Sequence, residues 1–134
     1  MPAKVVTPAE PRPFRDRLVE AAGGIGREEF LAGLKQGVER ARLTAAFRSD
    51  DGEERAAAVR VARLMKDPTL AAELAYLASR NDLSAIAALG EIGGVESVAV
   101  LAALAGAPER REAVERALAA TGRPEAAEAL AAMG

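Results

Sequence analysis

Paired carboxylates come nearest to a catalytic or metal-binding pattern in this chain. Acid–base catalysis and metal binding both need carboxylates that converge in one desolvated pocket. Neighbouring residues of a helix point about 100° apart, so adjacent carboxylates diverge. Each pair also lies where we expect a helix to begin, and negative charge there stabilises the helix dipole. We therefore interpret the pairs as capping and solvated residues: Glu28 and Glu29, Asp50 and Asp51, and Glu53 and Glu54.

Two glycine-rich segments, residues 23–26 and 90–94, have the composition of a phosphate-binding loop. Such a loop needs a preceding strand and a Gly-Lys-Ser/Thr sequence that leads into a helix. Here Arg-Glu and Val-Glu follow the glycines, so we interpret both segments as turns between helices. The chain also lacks Cys and His, which removes thiolate chemistry and the commonest metal ligand and general base. We expect no catalytic residues, no cofactor and no metal site.

Charge is unevenly distributed along the chain. Residues 1–48 carry nine basic and six acidic side chains, a net charge of +3, whereas residues 49–134 carry nine and fourteen, a net charge of −5. No aromatic residue is spaced to stack bases. We therefore do not expect nucleic-acid binding, and the basic N-terminal segment is the only part of the sequence that would support weak binding as an alternative.

The composition predicts an all-α fold. A chain of 134 residues forms one domain with a real core. Alanine and leucine, the best helix formers, dominate it, while aromatic residues make up 3%. No uncharged stretch approaches the roughly 20 residues that span a bilayer, and residues 1–7 lack the apolar core of a signal peptide. We expect a soluble cytoplasmic protein with no membrane contact, and its Arg-, Ala- and Gly-rich composition suggests a bacterial source.

The first 52 residues divide into an arm and a helical cap. Residues 1–13 contain four prolines, which predicts an extended, polyproline-like and flexible arm. A docking peptide is the alternative for this arm. Residues 14–52 are expected to form an N-terminal helical cap, with helices over 14–22 and 27–47.

Helix 27–47 is predicted to have a narrow apolar seam facing another helix. Gly33 and Gly37, four residues apart, would add a flat face that a second helix approaches closely. Two arrangements remain open, namely capping of the first hairpin in the same chain or formation of a homodimer. The seam consists of Leu31, Leu34, Val38, Ala41 and Ala45.

Residues 53–134 repeat with offsets of 27 and 29 residues, as the column of Leu74, Leu101 and Leu130 shows. A fixed period of this length is typical of stacked helical hairpins. Asp50 is the predicted N-cap of the first repeat helix, which runs to about residue 66, and Asp67 the predicted N-cap of the second. The later helices are predicted over 69–79, 83–92, 95–105, 109–121 and 124–133. We expect one continuous core from Leu74, Leu77, Ile86, Leu89, Val98, Leu101, Leu104, Val114, Leu118 and Leu130.

Residues 85–101 resemble the bacterial HEAT-like repeats first described in phycobilin lyases. The resemblance extends over about residues 53–134, with weaker copies of the pattern at 112–130 and, without the glycine of the turn, at 54–77. The shared pattern is an alanine-rich helix that ends in a Leu-Gly-x-Ile-Gly-like turn, followed by a Val-led helix with leucines. The resemblance implies a right-handed α-solenoid of about three HEAT-like hairpins. Because such repeats mostly serve as adaptor surfaces, it also implies a non-catalytic protein-interaction or scaffold module, such as a small accessory subunit of a larger assembly. An accessory factor of a bilin lyase-like enzyme is the alternative.

In such a stack the second helix of each hairpin lines the concave side. The outward positions of these helices carry small side chains at the centre, carboxylates toward the edges and one tyrosine. Small residues let a partner helix approach closely, and tyrosine is a common interface anchor. The alternative is that alanine occurs here only because it favours helix. We call the predicted partner-binding residues the predicted strip: Thr69, Glu73, Tyr76, Glu96, Val100, Ala103, Glu125 and Glu128.

Overall fold

The computed structural model describes residues 12–133, which form α-helices and 3₁₀ turns with no strand in that range. The all-α prediction is confirmed. Most of the predicted N-terminal arm, residues 1–11, lies outside the described residues. The helices are α1 (Phe14–Ala22), α2 (Arg27–Lys35), α3 (Arg40–Ala46), α4 (Gly52–Met65), α5 (Ala71–Ala78), α6 (Leu83–Ile92), α7 (Val95–Leu104), α8 (Arg111–Thr121) and α9 (Pro124–Met133), with 3₁₀ turns at Pro68–Leu70 and Pro108–Arg110.

Aspartate side chains cap α4, the 3₁₀ turn before α5, and α6, through Asp51, Asp67 and Asp82. The carboxylate of Asp51 accepts hydrogen bonds from the backbone N–H groups of Glu53 and Glu54, at 2.9 and 3.3 Å, and thereby starts α4. The predicted N-cap, Asp50, was wrong by one residue, because Asp51 is the last residue with an extended backbone before the helix. Asp67 caps as predicted, although the turn that it begins is a short 3₁₀ segment before α5.

The predicted helix 27–47 is wrong, because the chain breaks it between α2 and α3. Gly37 and Glu39 both adopt the left-handed conformation, with φ of 92° and 60°. This conformation ends a helix, and Val38 N–H closes the end by donating to the carbonyl of Gly33 at 2.8 Å. Gly33 and Gly37 therefore do not share a helix face.

The break also changes which apolar residues are buried. Val38, Ala41 and Ala45 of the predicted seam are exposed, and Leu34 is its only fully buried member. After the break, α3 instead buries Leu43, Ala46 and Phe47. The seam on which the homodimer alternative depended is therefore not formed.

The N-terminal helices pack against the first repeat helix of the same chain. α1 lies along α4, and α2 and α3 also contact it. Phe14 and Leu18 of α1 and Phe47 at the end of α3 belong to the same apolar core as Val59 and Val61 of α4. These contacts cover the end of the repeat region that would otherwise expose α4 to water.

The repeat helices contact one another in two series. α4, α6 and α8 pack successively side by side, α5, α7 and α9 do the same, and α5–α6 and α7–α8 contacts join the two series. Nine of the ten predicted core residues are buried in one cluster, while Leu130 is partly buried against it. The predicted core is confirmed in its position and continuity.

Gly90 permits the close crossing of α6 and α8. It lies inside α6, fully buried, and is therefore not a turn residue as we expected for segment 90–94; Gly93 alone has the positive φ of the turn, 74°. A Cβ atom at Gly90 would lie 2.6 Å from the carbonyl oxygen and 2.8 Å from the Cα atom of Ala117. The two helices thus touch backbone to backbone.

We predict that Gly90→Ala destabilises the protein. Alanine gains about 1 kcal/mol over glycine inside a helix, but overpacking a rigid backbone contact costs about 1–3 kcal/mol or more. Because the 2.6 Å contact is with rigid backbone, the cost lies at the upper end of that range, and we expect the free energy of unfolding in urea to fall by about 1–2 kcal/mol net of the helix gain. Gly106→Ala is the control, because no atom would lie within 4 Å of its Cβ. Equal stability of both variants would show that the close crossing is absent.

Candidate partner-binding surface

Five residues of the predicted strip lie exposed or half-buried on two helices that touch. Glu96 and Ala103 of α7 are exposed and Val100 is half-buried, while Glu125 and Glu128 of α9 are exposed. A helix repeats its face every three to four residues, so each set occupies one face of its helix. We call these five residues the acidic strip. Where α7 and α9 meet, a shallow depression of about 360 Å³ is lined by Ala102, Ala105, Gly106, Arg111, Ala129, Ala132 and Met133.

The other three residues of the predicted strip contact arginines of α3 and its end. Arg40 donates a hydrogen bond to Thr69 Oγ1 at 2.8 Å. The guanidinium of Arg48 lies 3.9 Å from the centre of the Tyr76 ring, and its Nε atom lies 3.6 Å from Glu73 Oε1. Thr69, Glu73 and Tyr76 are therefore already engaged by the same chain.

Arg40 and Arg48 were not among the residues predicted from the sequence. Their contacts depend on which face of α3 is buried. The break at residues 36–39 changes that face relative to a continuous helix. The two arginines are eight residues apart, and Leu43 and Phe47 between them are buried. Two arginines that flank buried apolar residues at this spacing could have predicted the contact with the first repeat hairpin. The prediction of one long helix over 27–47 assigned a different set of apolar residues to the buried face, so the pattern was missed.

Asp67 fixes the first of these contacts. Its carboxylate accepts hydrogen bonds from Thr69 N–H at 2.9 Å, from Thr69 Oγ1 at 2.8 Å and from Arg40 Nη1 at 2.8 Å. Burial opposes the ionised form of Asp67, but the hydrogen bonds from Arg40 and Thr69 outweigh it and lower the pKa of the carboxyl below its ordinary value. The folded state therefore favours the charged carboxylate.

A pocket of about 390 Å³ lies beside Tyr76, between the α3–α4 loop and the α5–α6 turn. We call it the arginine pocket. Phe47 and Leu77 form part of its wall and Ser49 part of its rim. Its charged and aromatic lining residues are Arg48, Asp50, Arg55, Tyr76, Arg80 and Asp82.

The other polar residues of the described range, 12–133, form no comparable site. The paired carboxylates 28–29 and 53–54 lie in the first turns of α2 and α4, as we predicted. Within residues 12–133, no group of three or more side chains of the metal-ligating types comes together. Among the helices of this same range, none is long and apolar enough to cross a membrane.

Comparison with known proteins does not assign the chain to a family. No family model, no curated protein and no solved structure matches it. The HEAT-like resemblance of residues 53–134 therefore stays a prediction, and the contacts and charges of the chain itself carry the argument for its function.

We predict that Asp67→Ala lowers stability in a pH-dependent way. Loss of an N-cap aspartate costs about 0.5–2 kcal/mol, and the hydrogen bond to Arg40 is lost with it, so we expect about 1–2 kcal/mol at pH 7. A lowered native pKa contributes stability that is present above the unfolded pKa of about 3.9 and is lost as pH falls through the native pKa. The difference in the free energy of unfolding between wild type and variant, measured in urea, should therefore become smaller as the pH falls toward 2.

Asp50→Ala is the matched control for that experiment. Asp50 is exposed and makes no hydrogen bond or ion pair to any residue between 12 and 133. Surface substitutions of this kind usually change stability by less than about 0.5 kcal/mol. If the loss of unfolding free energy in Asp67→Ala stays constant from pH 7 to pH 2, the negative charge of Asp67 does not have the proposed stabilising role.

Proposed function

We propose that the protein is a non-catalytic protein-interaction or scaffold module, and that the acidic strip on α7 and α9 is its contact surface. The exposed alanine-rich face shared by these touching helices carries the proposal. Ala99, Ala103 and Ala132 present only methyl groups to solvent there, so the backbone of a partner helix can approach closely. Glu96 and Glu128 flank this small-residue surface and would pair with basic side chains of the partner.

Within this proposal, the three hairpins α4–α5, α6–α7 and α8–α9 stack as a right-handed, HEAT-like α-solenoid. The two series of helix contacts support it, since successive first helices and successive second helices pack side by side. The backbone contact at Gly90 supports it further, because close stacking of neighbouring hairpins requires a small residue there. In this arrangement the strip lies on the surface formed by the second helices.

The nucleic-acid alternative receives no support from the arginines of the N-terminal helices. Arg15 pairs with Asp51 and Glu53, and Arg17 pairs with Glu39. An arginine that is bound to a carboxylate must give up that partner before it can neutralise a phosphate. The positive charges of these arginines are therefore paired with carboxylates of the same chain.

We predict that Ala103→Arg and Ala132→Arg each weaken partner binding at least tenfold, which corresponds to about 1.4 kcal/mol. A long charged side chain would hold a partner helix away from the strip. The partner is first identified by co-purification from the native host and mass spectrometry, and its affinity for each purified variant is then measured by calorimetry. Circular dichroism and thermal melting should be unchanged, because both alanines are exposed.

Ala127→Arg provides the control on the same helix as Ala132. Ala127 is also exposed, but it lies five residues away, about 140° around the helix from Ala132. Binding should therefore survive this substitution. If Ala103→Arg and Ala132→Arg bind the partner as tightly as the wild type does, the acidic strip is not the contact surface.

A further inference from the structure

We propose that the arginine pocket binds an oxyanion, a carboxylate or a phosphate group carried by a peptide side chain. This inference goes beyond the interaction module proposed above, because the pocket and the acidic strip are separate surfaces of opposite charge preference. The pocket holds three guanidinium groups and one phenol within about 390 Å³, and all four lie between the end of α3 and the α5–α6 turn. Planar guanidinium groups match the paired oxygens of carboxylates and phosphates.

Arg80 is the arginine whose donors the fold leaves unused. The other arginines of residues 12–133 donate to a carboxylate or a backbone carbonyl or lie in an ion pair. Among residues 12–133 the Arg80 side chain finds no such partner, and its guanidinium carbon lies 5.5 Å from the centre of the Tyr76 ring. Its five N–H donors therefore remain available to a ligand.

Arg48 and Arg55 are only partly used. Arg48 is 55% exposed, and its Nε atom lies 3.6 Å from Glu73 Oε1, which is too long for a hydrogen bond. Arg55 donates one hydrogen bond from Nη1 to the carbonyl of Ser49 at 2.6 Å, which fixes the side chain at the pocket wall. Both retain unpaired N–H groups, and the bond to Ser49 orients Arg55 before any ligand arrives.

Tyr76 forms the base on which two of these cations rest. Arg48 and Arg80 contact its ring at 3.9 and 5.5 Å, and cation–π contact of this kind holds both side chains at the pocket. The Tyr76 hydroxyl donates no hydrogen bond to residues 12–133, so it remains a further donor. Arginine side chains that are already held in place lose less conformational entropy on binding an anion than freely rotating ones do.

The two carboxylates that line the pocket form no ion pair with its three arginines. Asp82 is occupied as the N-cap of α6, where it accepts from Ala85 N–H at 3.1 Å. Asp50 lines the pocket but forms no ion pair with Arg48, Arg55 or Arg80. An oxyanion would therefore find unpaired donors on Arg80, Arg55 and Arg48, and it would be opposed by the negative charges of Asp50, Asp82 and the Glu73 paired with Arg48.

The test is an NMR titration of the full chain with defined probes at constant ionic strength. The probes are inorganic phosphate, a phosphoserine pentapeptide, the same peptide with glutamate, the same peptide with serine, and a single-stranded oligonucleotide. We expect saturable amide shifts confined to residues 47–55 and 76–82 with an anionic peptide, by about 10 mM ligand. Comparison of phosphoserine, glutamate and inorganic phosphate identifies which carrier of the oxyanion the pocket accepts.

Three variants make the test specific to the pocket. Arg80→Gln should weaken binding roughly tenfold, the usual value of a hydrogen bond between charged groups. Arg116→Gln removes the same charge from a site 76% exposed on α8 and should leave binding unchanged. Asp50→Asn should tighten binding roughly two- to fivefold, because it removes a like charge.

Three results would overturn the proposal. The first is the absence of saturation with phosphate and with both anionic peptides. The second is an equal loss in Arg80→Gln and Arg116→Gln, since that would show general charge attraction. The third is binding to the oligonucleotide alone. Ala103→Arg should bind the anionic peptide as wild type does, so failure of the acidic strip and failure of the pocket are told apart.

Discussion

The backbone contact between α6 and α8 at Gly90 is the constraint on which the rest of the repeat region depends. Because a side chain at residue 90 would overlap the backbone of Ala117, this contact fixes both the distance and the register of the two helices. Each is joined by a short turn to the helix that follows it, α7 or α9. Fixing α6 on α8 therefore also constrains α7 relative to α9, and these two helices are in contact.

Most of the fold could be predicted from the spacing of apolar residues and from the capping and turn residues between them. Alanine and leucine at helical spacing, with aspartate, proline and glycine between them, placed every repeat helix to within a few residues and nine of the ten core residues correctly. The errors have local physical causes. Asp50 and Asp51 are both good capping residues, and only the backbone angles choose between them. Segment 36–39 continues an apolar period, but the left-handed conformation of Gly37 interrupts it.

The candidate site was predicted less well than the fold, because side-chain partners depend on contacts across long separations. Tyr76 was predicted as an interface anchor, which stays a prediction. Its neighbours Arg48 and Arg80 come from different elements and share no sequence pattern with it. Gly90 was assigned to a turn because glycines at 93 and 94 follow closely. Its role in helix packing appears only once Ala117, 27 residues away, is placed beside it.

α3 determines how far the exposed strip extends. Its arginines engage the first hairpin at Thr69 and Glu73, while nothing within residues 12–133 covers the corresponding positions Glu96 and Ala103 of the second hairpin. The exposed part of the predicted strip therefore begins at the second hairpin, where its charged residues are the carboxylates Glu96, Glu125 and Glu128. The N-terminal helices thus do more than cover an apolar end, because Arg40 and Arg48 also occupy the positions of the first hairpin that correspond to this strip.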